Sequence, residues 1–152
     1  MSYPDPAVAA FIATHVVPLR LILNRTADQP LFREHRVVWT PSLAVLDRRG
    51  VNHYQSAGFL PPAALLDLLR IGLARALIAW SRYDEAVSHL AAAADAGGAL
   101  APEALYWHGA AAYLKRRSRA VLMQSWGRLR DTYPDSIWAA RIPPNQEDEE
   151  EV

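Results

Sequence analysis

Trp39-Thr40-Pro41-Ser42-Leu43-Ala44-Val45-Leu46-Asp47-Arg48-Arg49-Gly50-Val51-Asn52-His53-Tyr54-Gln55-Ser56-Ala57-Gly58 decides how the rest of the chain is read. Leu43 to Leu46 is continuously apolar, the pattern of a buried central strand. Asp47-Arg48-Arg49-Gly50 has the residues of a tight turn, with an aspartate that bonds nearby amides and a glycine that accepts positive φ. Val51 to Ala57 alternates apolar and polar side chains, as an outer antiparallel strand with one wet face does. A prolyl bond stands at the mouth of the first strand.

Upstream, Asp5-Pro6 is an N-cap followed by proline at the first helical position, and Ala7, Val8, Phe11, Ile12 and His15 keep helical spacing. Leu19 to Leu23 is rich in branched apolar residues and too short for a helix, so it is expected as a strand buried on both faces. Asp28-Gln29-Pro30 opens a second short helix. Downstream only helices fit. The first, after Pro61-Pro62, carries the stripe Leu65, Leu69, Gly72, Leu73, Ala76, Leu77 and Trp80. The second starts at Tyr83 and is stopped by Ala96-Gly97-Gly98. The third opens at Pro102-Glu103, the fourth is capped by Ser118, and one truncated turn follows over Ile137 to Ile142.

The chain has 152 residues and no cysteine, which removes disulfides, thiolate nucleophiles and dithiol redox chemistry. No apolar run approaches the roughly 18 residues of a membrane span. Met1 to Pro6 has neither the basic start nor the apolar core of a signal peptide, so the cytoplasm is the expected compartment. Net charge is zero, yet Glu147 to Glu151 holds five acids, leaving Met1 to Gln146 with 16 basic and 11 acidic groups. Such a run reads as a solvated, disordered tail.

Two resemblances follow from these residues. Tyr83, Ala86, Leu90 and Ala93, and then Gly109, Trp126 and Pro134, fall in helical pairs about 35 residues apart. This resembles the tetratricopeptide repeat family over Leu65 to Ser136. The order helix, strand, helix, Thr40-Pro41 entering a strand, a glycine turn, a strand ending at Gly58-Phe59, and a helix resembles a thioredoxin-like domain over Pro6 to Leu69. That resemblance implies a cis bond at Thr40-Pro41 and a partner peptide meeting the Trp39 corner. It also implies a first strand and a Cys-x-x-Cys motif upstream of Pro6, neither of which the chain contains. With that central strand missing, Leu19 to Leu23 is expected to close up on Leu43 to Leu46 as a three-stranded sheet. The alternative is that a second chain fills the slot. Homodimerisation is expected to bury the remaining apolar surface.

No catalytic set emerges. His15, His35, His53, His89 and His108 lie in five elements with no metal-binding spacing. Glu103 and His108 are five apart and face different ways. Asp84 and Glu85 suit a helix start, and Lys115-Arg116-Arg117-Ser118-Arg119 suits a helix end, where each charge favours the dipole. No metal or cofactor is expected.

The expected fold class is α+β: a truncated thioredoxin-like half with a three-stranded sheet over residues 1–64, helical repeats over 65–142, and a disordered acidic tail over 143–152. The expected function is a non-enzymatic protein-interaction module that binds a peptide or protein partner. Its contact residues are expected at Trp39, Thr40 and Pro41, and in a groove lined by Leu73, Leu77, Tyr106 and Tyr113. One rival is an oxidoreductase subunit whose thiol comes from another chain. The other is weak nucleic-acid contact through 115–119.

Overall fold

A computed structural model describes residues 4–144. The expected acidic tail lies outside them from residue 145 on. Helix α1 (Pro6–His15) begins where Asp5 Oδ1 accepts the amides of Ala7 and Val8 at 3.0 and 3.2 Å. A 3-10 turn (Thr26–Asp28) leads into α2 (Gln29–Glu34). Strands β1 (Ser42–Leu46) and β2 (Asn52–Ala57) pair antiparallel, from Ser42 opposite Ala57 to Leu46 opposite Asn52. Helices α3 (Pro62–Ala79), α4 (Tyr83–Asp95), α5 (Ala101–Arg116) and α6 (Arg119–Thr132) follow, then a 3-10 turn (Ala139–Arg141). The class is α+β, with a two-stranded sheet.

The hairpin tip is closed by one carboxylate. Gly50, at φ +79°, sends its amide 2.9 Å to the Asp47 carbonyl, while Asp47 Oδ1 takes the amides of Arg49 and Val51 at 2.8 and 3.0 Å. The register breaks between Val45 and Leu46, which leaves β2 one extra residue between Asn52 and Tyr54.

The expected strand Leu19 to Leu23 does not form, so the expected three-stranded sheet is corrected to two strands among the described residues. Local bonds take the segment instead. Pro18 has no amide to give, Ile22 N donates to Asp28 Oδ2 at 2.7 Å, Ile22 O accepts Arg25 N at 3.0 Å, and Gln29 Nε2 donates to Leu23 O. Leu19 stays 74% exposed and Val17 94%. The expectation that Leu43 to Leu46 is a central strand fails with it. β1 packs on one face only, with Val45 buried and Ala44 and Leu46 exposed.

Two apolar clusters share α3. One joins Val8 and Phe11 of α1, Val45 of β1 and Leu65, Leu68 and Leu69 of α3. The other joins Ile71, Ala74 and Leu77 of α3 to Leu90, Leu105 and Leu129 of the next three helices. Consecutive helices from α3 to α6 pack in turn and α3 also touches α5, so the helical part is a stack of two hairpins. The expected boundary at residue 64 falls inside α3. Close approach sets its geometry: a Cβ on Gly109 of α5 would stand 2.8 Å from Trp126 Cδ1 of α6.

Helix α1 is held to the stack partly by rings. Phe11, His15 and His89 form a triangle, with the two imidazoles edge to face at 4.9 Å. Burial, then the neighbouring His15 and Arg70, hold the His89 pKa below its ordinary value, with Glu85 opposing. A histidine whose folded pKa is depressed binds protons more readily unfolded. Its stabilising contribution is therefore complete above the ordinary pKa of about 6.5 and is lost as pH falls below that value. Melting temperature is expected to drop between pH 7.5 and 5.5, and to drop less in His89→Gln. An identical pH slope for both proteins would contradict this.

Candidate interaction surface

The residues flanking Pro41 form an exposed apolar corner. Gly58, at φ +100°, donates its amide 2.7 Å to the Pro41 carbonyl, which sets Phe59 beside the start of β1. Ser42 Oγ donates to the Trp39 carbonyl at 2.6 Å, and the Thr40–Pro41 bond is cis, as the thioredoxin-like resemblance implies. Trp39 and Phe59 are each 68% exposed and Val38 91%. Three large apolar side chains around one proline are unusual on a surface otherwise covered with scattered hydrophobics.

This corner continues into an unpaired strand edge. Because Pro41 O bonds Gly58 N and Asp47 N bonds Val51 O, the inward-bonding positions of β1 are the odd-numbered ones. The backbone groups of Ser42, Ala44 and Leu46 consequently point away from β2. No described strand lies on that side. An edge of this kind is a template for another strand.

The residues of the other expected surface differ widely in exposure. Leu77 is buried in the helical core, a correction to its expected place on an open wall. Leu73 is half-buried and packs against both clusters. Tyr106 stacks on Trp126 with centroids 5.2 Å apart, and only Tyr113 is exposed. The hairpin reaches across here instead: Tyr54 donates its hydroxyl to Glu103 Oε2 at 2.7 Å, tying β2 to α5. Arg75 lies over the rings of Tyr54 and Trp107 at 5.4 and 5.0 Å. Burial pushes the Glu103 carboxyl up, and burial together with Glu103 pushes the Tyr54 hydroxyl up. Nothing in the residue spacing announced this pair, whose partners are 49 positions apart.

Two further polar clusters anchor structure. At the hairpin tip, Asp47 Oδ2 lies 3.1 Å from His53 Nε2 and accepts Trp80 Nε1 at 3.2 Å, beside a cleft of about 440 Å³. The His53 bond first, then the amides of Val51 and Arg49 and the Trp80 indole, hold that carboxyl well below the usual range. Arg48 and Arg49 cover the Trp80 ring at 4.0 and 4.6 Å. Between α5 and α6, His108 Nδ1 meets Ser125 Oγ at 2.7 Å, and burial keeps that imidazole's pKa below its ordinary value. Glu103 and His108 do face different ways, one to Tyr54 and the other to Ser125.

No group of three or more histidine or acidic residues among the described ones converges on a metal-sized site. No described helix is long and apolar enough to cross a membrane. Of the basic run at 115–119, Lys115 is paired with Asp84, and Arg117 ends α5 in the left-handed conformation. No protein-family model, curated protein or solved structure matches the chain.

Proposed function

We propose that this chain is a non-catalytic protein-interaction module, a thioredoxin-like domain without its dithiol carried on tetratricopeptide-like helical hairpins. It binds an extended peptide or protein segment by strand addition to β1. The observation that carries the reading is the conjunction of an unpaired β1 edge with the exposed Val38–Trp39–Phe59 corner at its entrance. Main-chain bonds from an added strand supply affinity, and the corner supplies an apolar anchor at one end. The bound segment would be the third strand of the sheet. The cytoplasm is the compartment this reading assumes.

The test uses two variants outside both cores. Ala44→Pro deletes an amide that faces the open edge and leaves the β1–β2 ladder intact, because proline is tolerated where the amide bonds nothing. Trp39→Ala removes the anchor. Peptides selected from a displayed library against the wild-type chain are expected to bind each variant at least about tenfold more weakly, or about 1.4 kcal/mol, with unchanged circular dichroism. Equal affinities, or a library that yields no binder, would overturn the proposal.

A further inference from the structure

We infer that the segment completing the sheet comes from a second copy of this chain: Leu19 to Leu23 of each protomer lies along β1 of the other. The inference rests on β1 being the recognition edge and names its occupant.

Each molecule carries an unpaired β1 edge, the one that ends in the Trp39 corner, and an unpaired strand-forming segment. Among the described residues the backbone groups of Leu19, Arg20 and Leu21 have no hydrogen-bond partner, and the residues around them are branched and exposed. On the acceptor side stand the outward groups of Ser42, Ala44 and Leu46. The two coexist in one chain, at the highest local concentration they can have, and remain apart. The segment's C-terminal end is held to Asp28 and Gln29, while its body is presented outward.

A two-fold axis satisfies both deficits at once. One β1 edge and one segment per chain give two identical junctions related by the axis, so the contact closes as a pair at these two elements. The apolar area is adequate. Trp39 and Phe59, rings of about 150–250 Å² each, join Val17, Leu19, Ile22, Leu23 and Leu46, all exposed. Used from both sides of the axis, this surface is of the order of the about 800 Å² per partner that specific interfaces bury. Strand addition also gives direction to the contact, because the segment's free amides and carbonyls match a row of free carbonyls and amides on β1.

The chain has no cysteine, so introduced thiols report cleanly. Light scattering of the wild-type protein is expected to give twice the chain mass across the micromolar range. Ala44→Pro and, independently, Leu19→Asp at an exposed position are expected to give the single-chain mass with unchanged helical content. An Arg20→Cys chain mixed with an Ala44→Cys chain is expected to form a covalent heterodimer with a short bis-maleimide. A monomeric wild type, a dimer indifferent to both substitutions, or cross-linking of Arg20→Cys to Ala44→Cys within one chain carrying both would each overturn the inference. A monomer that still binds selected peptides at β1 would leave the interaction reading standing. A dimer sensitive to Ala44→Pro alongside peptides that bind that variant normally would do the reverse.

Discussion

Leu90→Ala is expected to destabilise the protein by about 2–5 kcal/mol, toward the upper part of that range. Leu90 is fully buried on α4, the helix that packs on both α3 and α5. The cost of a cavity depends on how far its walls relax, and seven of the 13 buried residues in Leu90's cluster are alanines. Ala74, Ala86, Ala93, Ala94, Ala104 and Ala111 belong to it, and alanine has no rotamer to adjust. Thermal denaturation followed by the helical signal is expected to move down by about 2–4 °C for each kcal/mol in a chain of this size. Val87→Ala, at a half-buried position on the same helix, is expected to shift it far less. A loss below about 1 kcal/mol for Leu90→Ala would mean that α4 does not seat between its neighbours as described.

Gly72→Ala is the second large effect, and two opposed terms decide its sign. Alanine in a helix interior is favoured over glycine by about 1 kcal/mol. Against that, the new Cβ would stand 2.6 Å from Val45 Cγ2, 2.9 Å from Val45 Cβ and 3.2 Å from Tyr54 Cβ. The γ-methyl can rotate, but a strand Cβ moves only with its backbone, so the hairpin must lift from α3. Overpacking of this kind costs about 1–3 kcal/mol. A net loss is therefore expected, with faster amide exchange confined to β1 and β2. Combining it with Val45→Ala is expected to recover part of the loss, since the γ contact goes while the β contact stays. A Gly72→Ala protein that melts higher than wild type would show that the hairpin is not seated on α3 at Gly72.

Much of the architecture is legible in local chemistry. Asp5-Pro6 starts α1, Pro61-Pro62 starts α3, Gly97-Gly98 follows α4, and Gly50 closes the hairpin, each because a few adjacent residues fix the backbone there. β1 (Ser42–Leu46) spans the apolar run Leu43 to Leu46 and adds Ser42 at its start. The miss at Leu19 to Leu23 has a physical reason. Branched apolar residues say that a segment suits a strand, but pairing also requires a reachable edge, and here Asp28 and Gln29 tie its C-terminal end, at Ile22 and Leu23, into a local turn. Leu77 was expected on an open wall for a similar reason: helical period places it on the inner stripe without saying what covers that stripe.

By itself, then, the amino-acid order placed the helices and the β1–β2 hairpin, and showed that no thiol chemistry is available, because caps, prolines, glycines and composition act over a few residues. The tertiary structure alone decided that β1 keeps an open edge, that Leu77 is sealed in the core, and that Tyr54 meets Glu103 across the chain. Those outcomes depend on which surfaces win the competition for one another, and periodicity within a segment carries no record of its distant partner.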